Sequence, residues 1–339
     1  LLQKTISIST YGYELLSEYR IPGGPKYQTF DSMNGVTEFL NELGEAYVVK
    51  YDGLAGGKGV KVAGDHLQSH QEAIDYCQDI INKNGQFVIE EQFFGEEFSL
   101  MSFCDGETLK HMPAIQDHKR AYENDTGPNT GGMGTYSDAN HSLPFLDSSD
   151  IEEAHNINTQ TARALKDKFD EGYKGILYGG FMATKDGVRL IEYNARFGDP
   201  EAQVILPRLD GDIAQIFMQV ALGDLKTELK ISSDSMVTVV LAAEGYPVSP
   251  RTGDLIRGIE QAEAVKGATV FCAGVKGNSR SQLVTDGGRV LNVCGRGSTL
   301  GEARRIAYEA VNAISWPGMQ HRTDIGASIE LETVQEEIT

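Results

Sequence analysis

Positive charge is scarce in this chain. Thirty Lys+Arg against 49 Asp+Glu leave a formal net charge of −19 over 339 residues. That balance argues against a general nucleic-acid or membrane-surface binder, since both need a positive footprint. A small anionic ligand stays open, because a few lysines suffice for a local positive pocket. Long apolar runs are also missing: no stretch reaches the roughly 18 apolar residues of a membrane-spanning helix. Cysteine is sparse, and Cys77, Cys104, Cys272 and Cys294 form no C-x-x-C pair. A metal framework or disulfide scaffold is therefore not expected, and a reduced cytoplasmic compartment fits. Cys272 and Cys294 are candidate strand neighbours, but no bridge between them is expected. The first residues, LLQKTISIST, lack Met and lack the basic start and apolar core of a signal peptide, so the chain reads as a fragment of a longer one. No Ser-His-Asp or Cys-His arrangement stands out, which leaves covalent acyl-enzyme chemistry without support. Internal repeats and low-complexity tracts are absent too.

What is present describes a soluble globular protein of two or three domains, 40% hydrophobic and 23% charged, with 38 glycines for tight turns. Residues 11–21 read as a short helix stopped by Pro22-Gly23-Gly24. Ala46–Tyr51 and Val60–Ala63 read as strands around a glycine-dense loop. Helical spacing follows over 68–82, ending at Asn84-Gly85. Phe87–Ile89, Phe98–Phe103 and Leu109–Ile115 read as successive strands. Residues 124–135, NDTGPNTGGMGT, are too rich in Gly, Pro and Asn to pack as an element. A long helix is expected at 150–170, then a hairpin of Ile176–Thr184 and Val188–Asn194, then helices at about 200–208 and 211–222. A composition shift near Thr227–Asp234 marks a domain boundary. Beyond it lie strands at Val237–Ala243, Thr269–Val275 and Arg289–Val293, and a helix from about residue 300 with Thr299 and Glu302 as a capping box.

Chemistry concentrates in four blocks. In LIEYNARFGDPE (190–201), Glu192 and Asn194 fall on one face of a strand, because strand side chains alternate. One carboxylate and one amide oxygen suit a hard cation such as Mg²⁺, which keeps several waters and takes other ligands from phosphates. Arg196, just past the strand, can grip a phosphate or carboxylate with two parallel hydrogen bonds. Lys50 ends a buried strand, and Lys58 sits inside DGLAGGKG. Glycines let backbone approach an anion while lysines supply charge. A strand follows that loop rather than a helix, so it is not a P-loop. A nucleotide-covering hairpin and an ordinary flexible hairpin explain it equally well. VIEEQFFGEE (88–97) can offer backbone groups at Glu91 and its neighbours to an adenine edge and the Glu97 carboxylate to ribose hydroxyls, although a solvated acidic turn explains it when taken alone. DHKR (117–120) joins the long Gly-rich loop and can orient an amine and a carboxylate.

Together, and in this order, VVKYDGLAGGKGV, VIEEQFFGEE, QDHKRAYENDTGPNTGGMGTY, GILYGGFM, LIEYNARFGDPE, RTGDLI and TDGGRVLNVCG resemble the phosphoribosylamine–glycine ligase family of the ATP-grasp superfamily. The resemblance runs from about residue 11 to about 328, with GPNTGGMG, DHKR and RFGDPE its most specific parts. It implies an α+β ATP-grasp fold: a domain over 1–230 with a lid subdomain at about 45–110, and a strand-rich C-terminal ligase domain over 231–339. It implies ATP-driven ligation of glycine to 5-phosphoribosylamine through a glycyl phosphate, giving glycinamide ribonucleotide for purine synthesis. The implied partners are ATP, glycine, phosphoribosylamine and Mg²⁺ or Mn²⁺, in a cytoplasmic monomer without nucleic acid or membrane. Lys50, Lys58, Glu90, Glu91 and Glu97 would bind nucleotide; Glu192 and Asn194 would hold metal. Arg196, Lys58 and Asp117 would take catalytic roles. Asp117, Lys119, Asn129, Arg196 and Asp199 would meet substrate. The family also carries an N-terminal Rossmann-like domain that this stretch of sequence does not contain, so the amine half of the site is expected to be incomplete. The rivals are a nucleotide-binding fragment of low activity and an ATP-grasp ligase for a different acid.

Overall fold

The computed structural model describes residues 9–53 and 59–327. They divide into two compact units that interleave along the chain. The first takes the stretches up to His111, Ser148–Phe197 and Ala214–Thr227; the second takes Met112–Asp147, Gly198–Ile213 and the chain from Glu228.

The first unit holds two antiparallel four-stranded sheets. One runs in the order Tyr27–Phe30, Phe87–Glu91, Tyr47–Tyr51, Val60–Val62. Alternate residues on it divide the labour. Tyr47, Val49, Phe87 and Ile89 join Val36, Phe39 and Leu40 of the helix Val36–Leu43, and Ala73, Cys77 and Ile80 of the helix His70–Asn82, in one apolar core. Val48, Lys50, Val88 and Glu90 share the opposite face by strand parity. Neither Tyr27–Phe30 nor Val36–Leu43 is marked by the sequence pattern. Four residues, YQTF, are too few to show a period.

The second sheet of this unit runs Gly187–Asn194, Lys174–Thr184, Glu96–Asp105, Leu109–His111. The expected hairpin is there, closed by Lys185 and Asp186 between the paired Thr184 and Gly187. The expected long helix spans Ser148–Phe169 and buries Ala154, Ile157, Asn158, Thr161, Ala162, Ala164 and Leu165. That is the stripe a 3.6-residue period lays down. The run Leu109–Ile115 is not one strand. It breaks after His111, where Pro113 offers no N–H to a ladder, and pairing resumes at Gln116–Asp117 in the other unit.

The second unit is built on a five-stranded antiparallel sheet in the order Ala268–Cys272, Arg289–Gly297, Ser235–Ala242, Gly134–Ser137, Gln116–Asp117. The helix Leu300–Val311 lies against Arg289–Gly297. Gly295 permits this approach: a Cβ there would fall 2.1 Å from the Ala303 carbonyl oxygen. The glycine-rich stretch 124–135 does form structure, contrary to its composition. Thr126–Asn129 pairs with Arg120–Tyr122, and Gly134–Ser137 enters the sheet. Neighbouring strands supply the order that the residues themselves do not favour. Cys294 stands opposite Thr269 and Cys272 opposite Leu291, so the two thiols are not cross-strand neighbours and all four cysteines are free. No helix among the described residues is long and apolar enough to cross a membrane.

Two stability predictions follow from local chemistry. Thr299 caps the last helix by accepting from Glu302 N, while Glu302 reaches back to Ser298 N rather than to Thr299. Thr299→Ala should cost about 1 kcal/mol in a denaturant titration. His111 stacks on His155 with ring centroids 4.1 Å apart, between the helix Ser148–Phe169 and the strand Leu109–His111. Burial, reinforced by His155, pushes the His111 imidazole down from 6.5 to about 3. Between these values the unfolded chain takes up a proton that the folded chain refuses, so stability falls as pH drops through that window. Unfolding free energies measured from about pH 7 to about pH 5 should decline with acid, and His111→Gln should flatten the slope.

Candidate active site

In the first unit, two sequence blocks far apart in the chain meet at Lys50. Its strand, Tyr47–Tyr51, pairs with Phe87–Glu91 so that Val48 faces Glu90. Lys50 and Glu90 are thus diagonal neighbours on one face. Lys50 Nζ lies 2.7 Å from Glu90 Oε1 and donates to the Tyr13 hydroxyl at 2.9 Å and the Ile191 carbonyl at 3.0 Å. The three ammonium donors are therefore all spent. Tyr13 adds its own bond to the same carbonyl, at 2.7 Å. Both Lys50 and Glu90 are buried.

Ile191 is the residue before Glu192, so this cluster reaches the edge of the predicted metal pair. Glu192 and Asn194 do lie on one strand face, and Asn194 Nδ2 donates to Glu192 Oε1 at 3.0 Å. The amide oxygen of Asn194 is left to act as the acceptor. Burial raises the Glu90 carboxyl above its ordinary value. Lys50 and Tyr13 pull it back, and the negative charge of Glu192 adds to the rise. Glu90 Oε2 has no hydrogen-bond partner among the described residues. Tyr13 is likewise held well above its usual range, by burial first and then by Glu90 and Glu192. Four groups from four stretches of chain thus feel one another's charge.

Glu91 Oε1 accepts from Lys26 N at 2.7 Å. Glu97 is half-buried on the strand Glu96–Asp105, opposite Met182. Arg196 is exposed and donates to the Phe197 carbonyl at 2.8 Å. Lys58 lies outside the described residues. Two oxygen donors on one strand fit a cation that keeps its waters and binds phosphates. No group of three or more His, Cys, Asp or Glu among the described residues forms an all-protein metal cage.

In the second unit, Asp117 pairs with Thr135, and His118 is stitched in by His118 N to Gly134 O at 2.9 Å and Met133 N to His118 O at 2.8 Å. Gly132, at φ +109°, is required here, since a Cβ would stand 2.6 Å from Asp117 Oδ1. The Lys119 carbonyl accepts from both the amide and the hydroxyl of Thr130, each at 2.8 Å. Asn129 is exposed, opposite Arg120. Asp199 accepts from Gln203 at 3.1 Å, and its own carbonyl accepts from Arg289 at 2.5 Å. Arg289 also donates to the Gly131 carbonyl at 2.6 Å, while Gly131 N donates to the Tyr246 hydroxyl at 3.0 Å. The sequence pattern marks neither Arg289 nor Tyr246 individually. Both lie more than a hundred residues from the loop they hold, and nothing local reports the pairing.

Comparison with known proteins identifies the family. The family model for the ATP-grasp (A) domain of phosphoribosylglycinamide synthetase matches residues 8–202, and the model for its C domain matches residues 236–328. The chain is 42% identical over 319 residues to phosphoribosylamine–glycine ligase of Methanobrevibacter smithii, covering 93% of this chain and 72% of that protein. It is 44% identical over 304 residues to the enzyme of that name from Caulobacter vibrioides, covering 88% and 70%. The crystal structure of phosphoribosylamine–glycine ligase from Thermotoga maritima superimposes with a TM-score of 0.84 at 31% identity, covering 95% of this chain and 79% of that one. The chain therefore belongs to the phosphoribosylamine–glycine ligase family, carbon–nitrogen ligases of the ATP-grasp fold.

Proposed function

We propose that this chain carries out ATP-dependent ligation of glycine to 5-phosphoribosylamine, a step of purine biosynthesis. One glycine carboxylate oxygen attacks the γ-phosphorus of ATP, ADP leaves, and glycyl phosphate forms. The phosphoribosylamine nitrogen then attacks the glycyl carbonyl carbon. The C–O bond to phosphate breaks, the nitrogen loses a proton, and glycinamide ribonucleotide and phosphate result. Such chemistry needs positioning and charge neutralisation rather than a protein nucleophile. The observation that carries the reading is the convergence of Lys50, paired with Glu90, and Tyr13 on the Ile191 carbonyl, next to the Glu192–Asn194 oxygen pair.

In this reading the Lys50–Glu90 face, together with Glu91 and Glu97, receives the nucleotide, and Lys58 is assigned to its phosphates. Glu192 and Asn194 hold Mg²⁺ or Mn²⁺ through oxygen. When bound, that ion offsets negative charge on the phosphates. Arg196 offers a planar pair of donors to the transferring phosphoryl group. Asp117, Lys119, Asn129 and Asp199 orient glycine. Family membership and the names of the curated relatives favour this assignment over an ATP-grasp ligase for another acid.

Two measurements test the reading. Saturating ATP with Mg²⁺ should stabilise the chain, by about 2.7 kcal/mol at a hundredfold excess over Kd. ADP and phosphate release should require glycine and phosphoribosylamine together. Stabilisation without such release would mark a nucleotide-binding fragment, and no stabilisation would overturn the nucleotide site itself. Separately, Glu192→Gln removes one negative charge at nearly constant shape. It should lower metal-dependent turnover at least about tenfold and raise the metal concentration required, with the melting temperature unchanged. An unaltered metal titration would remove Glu192 from the assignment.

A further inference from the structure

Arg322 is among the largest fully buried side chains of the molecule, at 1% exposure, and each of its five N–H donors meets an acceptor. Nε and Nη2 fork onto Asp324 at 2.7 and 2.6 Å. Nη1 donates to Asp125 Oδ1 at 2.6 Å and to the Arg120 carbonyl at 3.2 Å. Nη2 also lies 3.4 Å from His118 Nδ1. Asp324 extends the grip by accepting from Asn124 N at 2.8 Å, and Thr323 bonds to Glu123. The guanidinium itself is located from behind, because Tyr308 donates to the Arg322 carbonyl at 2.9 Å.

Three of its four partners belong to the hairpin Arg120–Tyr122/Thr126–Asn129, with Arg120 on the first arm, Asp125 in the turn and His118 at the root, while the fourth, Asp324, lies two residues along from Arg322 itself. His118 stands between Asp117 and Lys119. Nδ1 of His118 faces this guanidinium nitrogen and also Asp125 Oδ1, the latter at 3.6 Å. Nε2 is buried without a hydrogen-bond partner among the described residues. The imidazole is therefore held from the Nδ1 side, by Arg322 together with Asp125, which Arg322 itself grips. A lysine could keep the charge here but not the fork.

We propose that Arg322 is a positioning residue for the segment 117–129: it sets the orientation of His118 and closes the hairpin that carries the glycine-handling residues. This inference rests on the ligase reading for what the segment does, though not for how it is held. Losing the fork displaces Asp117 and Lys119 relative to the acceptor while the nucleotide residues of the other unit are untouched. A displacement of about an ångström in such a group is enough for a large loss of rate.

The test uses Arg322→Lys and, because a buried site is sensitive, Asp125→Asn as a second variant whose side chain is 61% exposed. Arg322→Lys should raise KM for glycine about tenfold or more, with KM for ATP within about twofold of wild type. Asp125→Asn should shift glycine KM in the same direction. Amide exchange should quicken across 118–133 in both variants and stay unchanged across 47–51. Unchanged glycine KM and unchanged exchange in Arg322→Lys would overturn the proposal. So would a uniform loss of protection with ATP and glycine KM rising together, which is what a merely structural arginine produces. If wild type shows no glycine-dependent turnover, the ligase reading fails. Exchange across 118–133 in the two variants then still decides whether Arg322 positions the segment.

Discussion

The buried pair of Lys50 and Glu90 is the constraint that joins the two sheets of the first unit. Taking two charges out of water is costly, and their attraction offsets that cost only when geometry is good and the remaining donors find acceptors. Here they do. Lys50 satisfies its last two donors on Tyr13 and on the Ile191 carbonyl, which ties the sheet bearing the pair to the sheet bearing Glu192. Removing either partner would strand the other, so the pair fixes the distance between an ammonium group and an oxygen-donor pair. A phosphate-handling site needs that fixed distance more than it needs total charge.

The negative charge of the whole chain is consistent with this. At −19 overall, the protein still sets several cationic side chains against specific acceptors. Lys50 is paired with Glu90, Arg289 with the Gly131 and Asp199 carbonyls, and Arg322 with Asp125 and Asp324. Specific placement of a few cations replaces a diffuse positive surface.

The second unit shows the same logic applied to a loop. NDTGPNTGGMGT has the composition of a segment that would stay mobile in isolation. It is ordered because other parts of the chain close on it: Gly134–Ser137 is captured between two strands, Arg289 and Tyr246 hold Gly131, and Arg322 holds the hairpin base. The glycines that make it flexible alone are also those that let its backbone pass within van der Waals range of Asp117, as at Gly132. A residue with a side chain could not follow that path, so flexibility in the unfolded chain is the condition for close packing in the folded one.

Much of this was legible in the residues themselves. The apolar stripe of Ser148–Phe169, the Thr299 cap, the turn at Lys185-Asp186 and the shared face of Glu192 and Asn194 all follow from repeat distances of a few residues. Backbone geometry alone sets those distances. The motif blocks identified the family for a similar reason, because each keeps its reactive groups within one short segment. What only the tertiary structure decided is which segments become neighbours. Glu90 as the partner of Lys50, His118 as the neighbour of Arg322 at a separation of 204 residues, and the break of the Leu109–Ile115 run between two sheets have no local signature. They depend on burial and pairing summed over the whole chain, a balance that no window of a dozen residues contains.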